Sequence, residues 1–122
     1  MKKLLIGIVL LLLSVAVFAG GLNSSANSLK ANHPDIYQAI RDRAVREWDD
    51  DHDMVVYEIN RQSTALYESS TLLKSNPDIT SRALFEWADS DILGVENVFI
   101  YSIDWVMVVY TAKKQIESQS SY

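Results

Sequence analysis

The strongest constraint on how this chain folds is an internal repeat within its 122 residues. The segment RAVREW at 43–48 matches RALFEW at 82–87, an offset of 39 residues. Further along, MVVY at 54–57 recurs at 107–110, an offset of 53 residues, and each copy opens with Pro-Asp-Ile. Repeats of this size usually correspond to one supersecondary unit used more than once. The second copy therefore carries about fourteen extra residues between its two matching blocks.

The repeated unit has the pattern of a helical hairpin. Pro34 and Pro77 suit the first turn of a helix, and apolar residues follow each of them at helical spacing. The acidic run at 49–53 interrupts this pattern. Carboxylates are favoured at the positive end of a helix dipole, so the run indicates that a second helix begins there. We therefore predict an all-α domain in which two tandem hairpins, 33–75 and 76–118, form an antiparallel bundle of four or five helices.

Three segments fall outside the repeat pattern. Residues 89–102 form an insert in the second copy, and the apolar, aromatic-rich chain that starts there also suits short strands. The Gly-, Ser- and Asn-rich segment 20–32 predicts a flexible linker in front of the domain. Residues 119–122 predict a polar tail behind it.

The first nineteen residues have the pattern of a signal peptide. Lys2 and Lys3 precede an apolar run, and the small residue Ala19 closes it at a position suited to cleavage. Without cleavage, residues 4–22 form an uncharged stretch just long enough to span a bilayer, so a retained membrane anchor is the alternative. The sequence therefore predicts export to the periplasm or the extracellular space, or attachment to the inner membrane.

Charge and composition exclude several functional classes. The net charge is −5, and removal of the two N-terminal lysines with the signal peptide would make it more negative. An acidic surface argues against nucleic acid as a partner, because phosphate binding needs a basic stripe. The chain contains no cysteine, which excludes disulfides, thiolate zinc sites and cysteine nucleophiles.

The acidic run is the most obvious candidate for a metal site. Asp49, Asp51 and Asp53 alternate as they would at the start of a calcium loop. However, Met54 occupies the position of the loop glycine and Asn60 that of the closing glutamate, so the calcium-loop pattern fails. We predict no metal and no cofactor, and we interpret the run as a solvated turn in front of a helix.

An enzymatic role has little support in the pattern. Glu47 and Glu86 each precede a tryptophan, and together with the acidic run they are the only basis for a small carboxylate-using enzyme. No second group is placed by the pattern to converge on them, as general acid–base chemistry requires. We therefore predict no catalytic residues and keep the enzyme as the least favoured alternative.

Five residues are candidates for binding. Gln62 and Gln115 interrupt otherwise apolar helix faces, either to form a hydrogen bond across the bundle or to line a ligand groove. Phe99, Tyr101 and Trp105 would form a partner-binding patch if the insert lies on the surface. The leading hypothesis is an exported, non-catalytic module that binds a protein or envelope component. The alternatives are a membrane-tethered accessory protein and association of the chain with itself.

One short motif resembles a pattern found in a loosely defined group of small exported bacterial proteins. There the motif is Trp-x-Asp-Asp-(Tyr/His)-x-Met with a glutamine eight residues on, often in two copies behind a signal peptide. The residues that carry the resemblance are Trp48, Asp50, Asp51, His52, Met54, Tyr57 and Gln62. Members often have cysteines where this chain has Ala44 and Glu58, so their disulfide is absent here. The resemblance implies export and a helical fold rather than an activity.

Overall fold

The computed structural model describes residues 21–88 and 103–120, and these fold into an all-α bundle of five helices. The insert 89–102 and the predicted signal peptide lie outside the described residues. The helices are α1 (Ser24–Asn32), α2 (Pro34–Trp48), α3 (His52–Ser75), α4 (Pro77–Glu86) and α5 (Trp105–Ser120). The predicted all-α fold is confirmed.

Helix α1 lies within the segment that we predicted to be a flexible linker, and that prediction was wrong. Asn23 caps the helix, because its side-chain oxygen accepts a hydrogen bond from the Ala26 N–H at 2.8 Å. Ala26 and Leu29 are both fully buried. A helix whose other residues are mostly Ser and Asn therefore docks through two apolar residues one turn apart, together with hydrogen bonds that join Asn23 and Ser28 to α3. At the other end of the chain, α5 likewise extends to Ser120, into the predicted tail.

The α1–α2 junction has the same geometry as the α3–α4 junction. His33 and Asn76 separate the helices with backbone angles φ −141°, ψ 66° and φ −140°, ψ 68°. In both junctions the N–H of this residue donates to a leucine carbonyl four residues earlier, at 2.7 Å. Helix α1 therefore stands before the first hairpin as α3 stands before the second.

The two hairpins differ by one helical turn in their first helix. Helix α2 has 15 residues and ends at Trp48, whereas α4 has 10 residues and ends at Glu86, next to its C-cap Trp87. The distance in sequence from the proline to the tryptophan is four residues shorter in the second copy, Pro77 to Trp87, than in the first, Pro34 to Trp48. Four residues are close to one helical turn, about 3.6 residues. The deletion therefore keeps the apolar residues on the same face of the helix.

The turn between the helices of each hairpin is also conserved, despite the insert. The Asp51 N–H donates to the Trp48 carbonyl at 3.0 Å, and the Asp104 N–H donates to the Trp87 carbonyl at 3.3 Å. Each aspartate then caps the next helix, with its side chain accepting from the N–H three residues on at 3.2 and 3.3 Å. An antiparallel β-bridge between Ala88 and Ile103 joins the two ends of the insert.

The helices form two layers. Helices α1, α3 and α5 run parallel. At the start of α1, Asn23 bonds to Thr64 of α3, and further along α1, Ser28 bonds to Tyr67. Likewise Gln62 of α3 bonds to Trp105 of α5, and further along, Glu68 pairs with Lys113. Helix α2 packs against α1 and α3, and α4 packs against α3 and α5. Consecutive hairpins thus stack as in an α-solenoid, with α3 in contact with every other described helix.

The core lies between the two layers. Its large members come from all five helices and from Ile103, just before α5. They include Leu29, Tyr37, Ile40, Ile59, Ile79, Leu84, Ile103, Trp105 and Val108. In the described part of the chain, no helix combines the length and the apolar character needed to cross a bilayer.

Candidate functional site

The structure brings together two of the five predicted binding residues. Gln62, on α3, is 1% exposed, and its Oε1 accepts a hydrogen bond from the Trp105 N–H at 2.6 Å. Trp105 is itself buried, so it belongs to the core and not to a surface patch. Gln115 is exposed on α5, so it is not the buried amide that a hydrogen bond across the bundle would require. Phe99 and Tyr101 lie outside the described residues.

Gln62 is the centre of a buried polar network that fixes the start of α5. Its Nε2 donates to Glu58 Oε2 at 2.9 Å and to Asp104 Oδ1 at 3.0 Å. Together with the bond from Trp105, these contacts occupy both polar atoms of the amide. A buried amide that is satisfied in this way holds two helices in one register.

Two arginines balance the two carboxylates of this network. Arg61 Nη2 donates to both oxygens of Glu58, at 3.1 and 3.3 Å, and Glu58 is 2% exposed. Arg43 Nη2 lies 3.5 Å from Asp104 Oδ2. A buried carboxylate without such partners would be strongly destabilising. Because these oxygens are already engaged, the network can position α5 but is poorly suited to proton transfer with a substrate.

The acidic run at 49–53 forms the turn between α2 and α3 and the start of α3. The Asp51 side chain caps α3, and the other carboxylates of the run are exposed. Within residues 21–88 and 103–120, no three acidic or histidine side chains are grouped as metal ligands. Asp49 has a positive φ of 50°, the one such non-glycine residue in the described chain. Glu47 and Glu86 are both exposed at the ends of their helices.

The repeat also displays the same surface pair twice. Tyr57 and Tyr110 occupy equivalent positions of the two copies and are 54% and 53% exposed. The cation four residues after each tyrosine lies over its ring. The Arg61 guanidinium is 5.8 Å from the centre of the Tyr57 ring, and the Lys114 ammonium is 5.5 Å from that of Tyr110.

A shallow groove of about 440 Å³ lies between α3 and α5, next to these pairs. Tyr57, Arg61 and Glu68 line it from α3, and Val106 and Val109 from α5. Tyr110 lies on the same face of α5 as Val106, one turn further along. An ion pair between Lys113 and Glu68 joins the two helices at the groove. We call this surface the tyrosine face. It consists of the two aromatic pairs, the Lys113–Glu68 ion pair and the groove between α3 and α5.

Sequence reasoning missed the tyrosine face, although the repeat contains its signal. Tyr57 and Tyr110 end the repeated block MVVY, and a basic residue follows each of them at the same spacing. An aromatic residue on a helix is more often part of the core than of the surface. Only the packing of α3 and α5 shows that both rings point outward.

Comparison of the chain with known protein families, with curated proteins and with solved structures finds no match. The resemblance of the Trp48–Gln62 motif to small exported bacterial proteins therefore stays a prediction.

Proposed function

We propose that the chain is an exported, non-catalytic binding module and that the tyrosine face binds an acidic segment of a protein partner. The observation that carries the proposal is the pair of matched, exposed tyrosine–cation contacts at equivalent positions of the repeat. Because both rings are about half exposed, they contribute little to the core. Their recurrence at the same position of both copies is better explained by a role in binding.

The chemistry of this face suits protein recognition. Tyrosine and arginine are enriched among the residues that dominate binding energy at protein interfaces. A cation that lies over a ring also holds the ring in place, which reduces the entropy lost on binding. Here Tyr57, Tyr110 and Arg61 combine all of these features.

The charge of the face indicates an acidic partner segment. The groove and the two aromatic pairs contribute three cations, Arg61, Lys113 and Lys114. Arg61 is paired with Glu58 and Lys113 with Glu68, so the excess on this face is one positive charge. The whole chain carries a net charge of −5. A local positive excess on an acidic molecule steers acidic segments toward this face and away from the rest of the surface.

Export is supported by the N-terminal pattern and is compatible with the fold. Cleavage after Ala19 would leave the α1 cap, Asn23, in the mature chain, together with its bonds to Asn60 and Thr64 on α3. The test is cell fractionation followed by intact mass spectrometry of the full chain. We expect a soluble species that begins at Gly20. A full-length species in the membrane fraction would favour the tethered alternative.

Site-specific photocrosslinking tests the partner proposal. A photoreactive phenylalanine analogue at position 57 or 110 should capture the same protein in the source organism. Lys114→Glu reverses a charge of this face and keeps the pair between Arg61 and the buried Glu58, so it should sharply reduce both products. Phe85 on α4 is the matched control, because it is an aromatic residue with a similar exposure, 51%, away from the tyrosine face. Equal capture from position 85 would contradict the proposal. A product of twice the chain mass would instead identify a surface for self-association.

A further inference from the structure

A second concave region of the bundle has a different chemistry from the tyrosine face. It is a cavity of about 280 Å³ to which all five described helices contribute. Its apolar lining consists of Leu29, Ile36, Leu66, Leu73, Leu84 and Trp105. The Gln62 bond to the Trp105 N–H fixes the start of the helix that carries the indole. The cavity is therefore built on rigid elements.

Three of the four side-chain hydroxyl groups around this cavity donate to acceptors of the protein itself. Ser69 Oγ donates to the Leu66 carbonyl at 2.8 Å, and Thr80 Oγ1 donates to the Leu72 carbonyl at 3.2 Å. The Tyr67 hydroxyl donates to Ser28 Oγ at 2.9 Å. Because these three hydroxyl groups donate to protein acceptors and not into the cavity, the wall of the cavity is suited to an apolar ligand.

The mouth of the cavity is polar. His33, at the α1–α2 junction, and Ser70, on α3, both line the cavity and are exposed to solvent. An imidazole carries an N–H donor in either protonation state, and a serine hydroxyl is a second donor. Two donors at the rim of an apolar cavity suit a ligand with an apolar body and an anionic, hydrogen-bond-accepting end.

We propose that this cavity binds a medium-chain aliphatic carboxylate, with its chain against Trp105 and its carboxylate at His33 and Ser70. Size supports this choice, because an apolar cavity of about 150 Å³ is already enough to hold benzene. The proposal does not depend on the tyrosine face, whose lining shares no residue with this cavity.

Titration of the mature chain with octanoate, followed by NMR of isotope-labelled methyl groups, tests the proposal. We expect saturable shifts confined to Leu29, Ile36, Leu66, Leu73 and Leu84. Octylamine, which has the same chain with a cationic end, should bind several-fold more weakly. His33→Ala should weaken octanoate binding about three- to tenfold, the effect of one hydrogen bond to a charged group at a partly exposed position. That change should remove most of the preference over octylamine.

Two variants close the cavity in different ways. Ser69→Phe fills it from within, and Ser70→Phe covers its mouth from an exposed position where folding is not at risk. Either should abolish octanoate binding. Val45→Phe, at an exposed position of α2 outside the cavity lining, should leave it unchanged.

Three results would overturn the proposal. They are the absence of saturable shifts up to the solubility limit of octanoate, unchanged binding in folded Ser70→Phe, and binding of dioctanoyl phosphatidylglycerol in preference to octanoate. The last result would assign the cavity to a membrane lipid and not to a free carboxylate.

Discussion

The two hairpins share several residues at equivalent positions, yet the shared glutamine has opposite environments in the two copies. Gln62 is buried and bonds to the start of α5, whereas Gln115 is exposed at the far end of the stack. Helix α3 has a further hairpin packed against it, and among the described residues α5 has none. In a stacked repeat, the role of a residue thus depends on whether another unit follows.

The largest expected effect comes from removing the buried member of this pair. Gln62→Ala leaves Glu58, Asp104 and the Trp105 N–H without their shared partner, so we expect unfolding to become easier by about 3 kcal/mol. Gln115→Ala should change stability by less than about 0.5 kcal/mol. Urea unfolding of both variants measures the difference. Equal effects would show that Gln62 does not join the two hairpins.

The two helix caps should differ in the same direction. Asp51→Ala removes one capping bond and should cost about 1 kcal/mol. Asp104→Ala removes the equivalent bond together with contacts to Gln62 and Arg43, so we expect a cost of about 2 to 3 kcal/mol. Thermal and urea unfolding report both values. A smaller cost at Asp104 than at Asp51 would contradict the role given to the network.

The repeated tryptophans give a third contrast. Trp87 Nε1 donates to Thr111 Oγ1 at 2.8 Å, whereas Trp48 Nε1 is buried and has no hydrogen-bond partner among the described residues. Thr111→Val should therefore cost about 1 kcal/mol in the native chain and much less in a Trp87→Phe background. This double-mutant cycle isolates the bond, and purely additive effects would exclude it.

The smallest effect concerns the short turn of the first hairpin. The positive φ of Asp49 and the bond from Asp51 N–H to the Trp48 carbonyl describe a type II′ turn, in which glycine is preferred at the position of Asp49. Asp49→Gly should stabilise the chain by about 0.5 to 1 kcal/mol. Asp50→Gly, one residue further on, is the control and should not stabilise it. Calorimetry can resolve both shifts.

Much of the fold could be predicted from the repeat, because helical spacing and caps are local properties of the sequence. The repeated MVVY block marks the start of α3 and of α5, and an aspartate three residues before its methionine, Asp51 or Asp104, caps each helix in the structure. Helix α1 was missed because its composition suits a linker. A closer comparison of SLKANHPDI at 28–36 with TLLKSNPDI at 71–79 contains the signal for it.

The candidate sites could be predicted only in part, because they depend on packing between distant segments. Gln62 was recognised as a polar residue on an apolar face, but its partners at Asp104 and Trp105 lie more than forty residues away. The cavity collects residues from every described helix, and the outward direction of Tyr57 follows from how α3 meets α5. No spacing rule within one helix contains that information.

The bridge between Ala88 and Ile103 has a practical consequence for protein engineering. Together with the bond between Asp104 and Trp87, it holds the two ends of the 89–102 connection side by side. The first hairpin makes the same link with a short turn, so the helices do not depend on the length of this connection. A foreign epitope or a reporter domain grafted at this position would therefore start and end at neighbouring points of the bundle, as such insertions require.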